Sequence, residues 1–180
     1  MFNGGKEYEK LAKNLVEFSV DLKKGERVLL NAVDVPDDMI VALLHAIDSR
    51  GGIPVVRLQS NKISRALNKI LGKDQMESFR DVALDVIKKM DAFIAIRGGN
   101  NIFYQSDIPH EQRIMIDGVM RPVHDWRVKN TKWVILRWPT DGFAQQAKMS
   151  TDAFEEFFFR VCTLDYAKMI PGMEALTRRM

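Results

Sequence analysis

Apolar residues recur along the chain in two rhythms. In some windows they return every three or four positions, as on one face of a helix. In others they form short runs rich in Val, Ile, Leu and aromatic side chains, which read as strands. Leu11, Leu15, Phe18 and Leu22 have helical spacing and predict a first helix over residues 7–22, with Lys23-Lys24-Gly25 as cationic last turn and glycine stop. Residues 27–31 predict a short strand. Pro36-Asp37-Asp38 opens the next helix, with acids at the positive end of the dipole. Ile40, Leu43, Leu44 and Ile47 line its buried face, and Gly51-Gly52 ends it. A second strand follows over residues 53–58.

The alternation continues. Residues 61–71 predict a helix closed by Gly72, and residues 75–90 another, with Phe79, Val82, Val86 and Ile87 inward. A third strand at 91–97 runs into Gly98-Gly99-Asn100-Asn101. Asp107-Ile108-Pro109 starts a helix reaching about Arg127. The fourth strand is Trp133 to Arg137, stopped by Pro139, which has no N–H to give a ladder. A helical turn at 141–147 precedes a strong helix at 150–163, capped by Ser150 or Thr151. A last helix, 165–180, is expected to bend at Pro171-Gly172.

Strands alternating with helices imply parallel pairing through right-handed crossovers. The fold class is therefore α/β: a three-layer α/β/α sandwich with a mainly parallel sheet of about four strands, ending in carboxyl-terminal helices. The first three strands are apolar runs and are expected to be covered on both faces. In such sheets ligands bind at the carboxyl edge.

The chain has 180 residues, enough for one domain with a real core. A net charge of +3 with Lys and Arg interspersed among acids argues against a nucleic-acid partner. Cys162 is the single cysteine, so no internal disulfide is possible. No apolar run approaches a membrane span, and the amino terminus lacks a signal-peptide core. The expectation is a cytoplasmic protein without a membrane partner.

Candidate chemistry is sparse. Gly98-Gly99-Asn100-Asn101 follows a strand, as phosphate-binding loops do, but Gly and Asn are also the usual residues of positive-φ turns, and the turn is favoured. No dinucleotide or P-loop fingerprint is present. His110 and His124 lie fourteen residues apart in one helix, about 21 Å at 1.5 Å per residue, too far to share a metal. His45 stands off the apolar face of its helix. The histidines read as surface or capping groups, and Cys162 as a buried structural thiol. Phe154, Phe157, Phe158 and Phe159 are wider than one core stripe and read either as core or as a partner contact. Arg137, Trp138 and Pro139 have two readings of equal standing. They form a ligand edge, or Trp138 covers the sheet end while Arg137 pairs with a carboxylate.

Several stretches resemble one family. Residues 11–20, followed by Lys24-Gly25-Glu26-Arg27-Val28-Leu29, are similar to the start of the M29 metalloaminopeptidases, the group of aminopeptidase T and staphylococcal aminopeptidase S. Residues 132–140 resemble that family's strand ending in Arg-Tyr/Trp-Pro, and residues 149–157 and 165–169 its next two helices. The likeness runs through essentially the whole chain. It implies two-domain, usually dimeric exopeptidases that remove N-terminal amino acids from peptides. In these, a divalent metal pair (zinc, cobalt or similar) is held by Glu, His and Asp residues of the carboxyl-terminal domain.

No position here matches those ligands. The resemblance thus implies a single α/β domain over residues 1–180, the amino-terminal half of such an enzyme, with the metal-binding domain absent. It would form one wall of an interdomain cleft, with Arg137, Trp138, Pro139, Thr140, Gly98, Gly99 and Asn100 facing the substrate. It would hold no catalytic residue and no metal, be inactive alone, and pair as a homodimer. Two other classes stay open: a stand-alone small-molecule or nucleotide-binding module, and a scaffold domain.

Overall fold

The computed structural model describes residues 4–179. Strands β1 (Arg27–Val33), β2 (Ile53–Gln59), β3 (Ala92–Arg97) and β4 (Lys132–Arg137) form one parallel sheet in the order β2-β1-β3-β4. Helices α1 (Gly4–Asn14), α2 (Asp37–Ser49) and α7 (Thr151–Cys162) contribute to the core on one face, and α4 (Lys73–Ile87) and α5 (His110–Asn130) to that on the other. The remaining helices are α3 (Asn61–Ile70), α6 (Asp141–Gln146) and α8 (Tyr166–Thr177). The architecture is the three-layer α/β/α sandwich that the alternation of elements predicts.

Successive strand residues point to opposite faces, so the register sorts the side chains into two cores. Val28, Leu30 and Ala32 of β1, with Ala92, Ile94 and Ile96 of β3, pack against Leu11, Leu43, Ile47 and Phe159. Leu29, Phe93 and Ala95 face the other way, onto Ile87 and Met90, with Val123 and Trp126 of α5 at the margin.

Several expectations are corrected. The first helix does not run to Leu22. After Asn14 it widens into one π turn, Leu15–Ser19, closed by Val20 N donating to Leu15 O at 3.1 Å and Leu22 N to Val16 O at 2.9 Å. Asp21 then takes a left-handed φ of 41°, which turns both Val20 and Leu22 into the core at 1% and 0% exposure. Lys23 and Lys24 are therefore not a last helical turn, and Gly25 serves the bend into β1.

β2 is an edge strand, so it is not covered on both faces. Val56 and Leu58 are 43% and 64% exposed. Val82 of α4 points outward, and Phe79, although half exposed, lines the cavity beside Ala83 and Ile87, which with Met76 are the helix's buried positions. Gly72 does not close a helix but caps the next one, its N–H donating to Gln75 Oε1 at 2.8 Å. α5 begins at His110 rather than Asp107, whose carboxylate instead binds Arg65 and Lys69 of α3. α8 holds Pro171 within it and ends at Thr177 with Arg178 as C-cap, short of the expected end at residue 180; Met180 itself lies outside the described residues. No helix among the described residues is long and apolar enough to cross a membrane.

Candidate functional site

The sheet order places a crevice. From β1 the chain winds outward to β2, then returns to place β3 on the other side of β1. In open α/β sheets such a reversal leaves a gap outside the carboxyl ends of the two strands. A cleft of about 570 Å³ lies there, a volume typical of small-ligand sites.

Its chemistry follows from the register. Gln59, Val33, Arg97 and Arg137 are consecutive Cα partners across the four strands. One step back on the same face stand Arg57 and Asn31, paired across β2 and β1. Two steps further back the row is apolar: Val55, Leu29, Phe93 and Trp133. The face under α4 and α5 therefore starts as core and ends as a cationic, amide-rich rim.

The loops fix the rim. At the end of β3 the chain passes against the β1 loop so closely that a Cβ on Gly98 would overlap the carbonyl of Asp34. Gly99 has φ +123°, a conformation that side chains disfavour. Two side chains hold this turn. Asn61 Nδ2 donates to Gly98 O at 3.0 Å, and Thr140 Oγ1 to Gly99 O at 3.1 Å. Asp34 in turn accepts from Asn61 N at 3.0 Å, tying the start of α3 to β1.

No aspartate or glutamate lines the cleft. Arg97 and Arg137 both do, and among the described residues neither forms an ion pair. Burial and the positive fields of Arg137 and Arg127 push the Arg97 guanidinium below its ordinary pKa. Partial burial, Arg127 and Arg97 likewise lower His124. A smaller cavity of about 210 Å³ adjoins, sharing Asn31, Gln59 and Arg97 and adding Arg57, His124 and Arg127. Two buried polar atoms at this junction have no hydrogen-bond partner: Asn31 Oδ1 and Arg127 Nε. Buried polar atoms are nearly always paired, so both stand out. Arg127 keeps its guanidinium over the rings of Phe93 and Trp133, at 5.2 and 5.4 Å from their centroids.

The seven residues expected at the cleft separate. Gly98, Gly99 and Arg137 line it. Thr140 is buried and supports the loop through its bond to Gly99. Asn100 is exposed on the loop, its carbonyl packed so tightly on Gly142 that no Cβ fits there. Trp138 and Pro139 do not line it. One residue past Arg137 the strand alternation reverses, and Trp138, 5% exposed, stacks edge-on with Tyr8, Phe158 and Phe159 in the opposite core. Asn31, Gln59, Arg97 and Arg127 escaped the sequence reading. A signal existed in β2, where Val55, Arg57 and Gln59 mark one face turning polar. The strand order that brings Arg97 beside Arg137 had none.

Among the described residues no three His, Cys, Asp or Glu side chains gather into a group able to hold a metal ion. The described side chains thus do not fit a metal centre, and no chemical step is derived through one. Cys162 is half-buried, and burial raises its thiol pKa, the opposite of an activated nucleophile.

Comparison with known proteins bears on what such a cleft belongs to. The fold overlays wild-type AmpT from Thermus thermophilus with a TM-score of 0.67 and 15% identity, over 88% of this chain. The chain spans 43% of the length of that structure. A putative LacI-family transcription repressor from Corynebacterium glutamicum overlays at a TM-score of 0.33 and 10% identity, covering 74% of this chain and 60% of its own, too loosely to inform the fold. No curated protein matches the sequence. The profile of the family described as Thermophilic metalloprotease (M29) matches residues 5–175, nearly the whole chain. This chain belongs to the M29 family of metalloproteases.

Proposed function

We propose that this chain is the substrate-facing amino-terminal wall of an M29 aminopeptidase, an enzyme that removes N-terminal amino acids from peptides. The observation that supports this reading is a cleft with binding chemistry in a chain whose described residues gather no ligand set for a hydrolytic metal. Metal-assisted hydrolysis needs several imidazole or carboxylate groups converging on the ion. In this proposal those groups, and the divalent ion itself, belong to a part of the enzyme other than this domain. Arg137, Gly98 and Gly99, with Arg97 and Asn31, position the peptide. Thr140 and Asn61 hold the loop that shapes the wall. Assembly as a homodimer is part of the same proposal.

The test is an activity assay on the purified 180-residue chain with leucine p-nitroanilide and added zinc or cobalt. The expected result is no release of p-nitroaniline above the protein-free control. Metal-dependent release that a chelator abolishes would overturn the proposal, because the catalytic centre would then lie within this chain.

A further inference from the structure

The cleft carries a set of unmet demands that narrows its ligand. Arg97 and Arg137 present guanidinium groups with no carboxylate among the lining residues to neutralise them. Asn31 Oδ1 is a buried acceptor without a donor, while the unpaired Arg127 Nε belongs to the adjoining cavity. Asn31 is only 9% exposed and borders both cavities. A lone phosphate satisfies the donors, but its oxygens would face the Asn31 carbonyl oxygen, acceptor against acceptor. A ligand that answers both demands carries an anionic group and, within one residue's length, an N–H.

The last residue of a peptide has that pairing: a planar carboxylate suited to the guanidinium fork, and the N–H of the bond before it. The rest of the rim is also amide-like. Gln59 and Gln146 line it with side-chain amides that each carry a donor and an acceptor, as peptide bonds require, while the Asn61 and Gln105 amides already bond to Gly98 O and Asn68 Nδ2. With no acidic lining residue among those described, the cleft offers a free ammonium group no counter-charge, only two arginines of its own sign. An amino-terminal end is therefore not what it selects.

We propose that the β1–β3 cleft recognises the carboxyl terminus of short peptides, with Arg97 and Arg137 on the carboxylate and Asn31 on the adjacent N–H. The proposal rests on the reading of this domain as a peptidase wall, and it deepens that reading. A wall that grips the tail of a peptide leaves the amino end free for cleavage elsewhere. It also favours short substrates, whose two ends lie within reach of one cleft.

Isothermal titration of the 180-residue chain tests this with four probes: N-acetyl-trialanine as the free acid, the same peptide as its carboxyl amide, inorganic phosphate, and adenosine monophosphate. The blocked amino end prevents hydrolysis, so the result is independent of activity. Metal-dependent activity of the chain would sink the earlier reading without touching this measurement.

The free acid is expected to bind saturably, and the amide about 10-fold or more weakly, the scale of one charge-assisted contact. Arg97→Gln and Arg137→Gln should each weaken the acid by about the same factor and the amide by much less, with circular dichroism confirming the fold. Equal binding of acid and amide would overturn the proposal, as would saturable binding of phosphate or the nucleotide alone, absence of binding by all four probes, or unaltered affinity in both variants.

Discussion

The two faces of the sheet use the same four strands in opposite ways. Under α1, α2 and α7 the inward positions of β1 and β3 are apolar to the strand ends, and beyond them Trp138 closes the layer with Tyr8, Phe158 and Phe159. Under α4 and α5 the last two rows bring in Arg57, Asn31, Gln59, Arg97 and Arg137 beside the apolar Ala95, Ile135 and Val33. A buried face needs apolar contacts along its whole length. A face with uncompensated cations and orphaned polar atoms costs stability, and such a cost marks a site built for a ligand. One face holds the fold together; the other leaves its end open for recognition.

Truncating the sealed end should show the largest effect. Trp138→Ala removes an indole at the centre of an aromatic cluster, and a loss of about 3–5 kcal/mol is expected for such a change. Chemical denaturation monitored by circular dichroism measures it. A loss under about 1 kcal/mol would show that Trp138 belongs to the open end after all.

Gly98→Ala probes the seam between the faces. The added methyl meets the Asp34 carbonyl, a backbone atom that cannot move without shifting the β1 loop. A destabilisation of about 1–3 kcal/mol is expected from forced overpacking. It should be accompanied by loss of ligand binding, since the same loop lines the cleft.

The smallest effect belongs to the outer rim. Arg65 and Lys69 of α3 hold the Asp107 carboxyl well below its ordinary range, through hydrogen bonds first and charge second. A depressed carboxylate pKa stabilises the folded state above the unfolded value of about 3.9 and loses that contribution as pH falls through the folded one. Wild type and Asp107→Asn should therefore differ most in melting temperature near neutral pH and converge below about pH 3.9. The group is exposed, so the difference should be small and shrink in salt. A gap that widens on acidification would contradict the assignment.

Much of the sealed face was legible in the sequence. The apolar runs of β1 and β3 and the Ile40–Leu43–Ile47 stripe of α2 announce core by period alone. The open face was harder to read, because its meaning depends on neighbours. Arg97 reads as an ordinary strand-ending charge until β3 is placed beside β4 and Arg137 becomes its partner. Val82 was misread as core because several apolar residues of α4 compete for the inward stripe, and packing buried Met76, Ala83 and Ile87, leaving Phe79 to line a cavity beside them. Trp138 was drawn to the cleft by its place after Arg137, but period-two alternation sends adjacent residues to opposite faces.

The central claim is that recognition resides at the cationic end of the α4/α5 face. Amide chemical-shift mapping of the isotope-labelled chain, titrated with N-acetyl-trialanine acid, tests it most directly. The account predicts perturbations concentrated at Asn31, Gln59, Arg97 to Gly99 and Arg137, with Tyr8 and Trp138 undisturbed. Shifts centred on the aromatic face, or no saturable shifts at the carboxyl ends of β1 and β3, would contradict it.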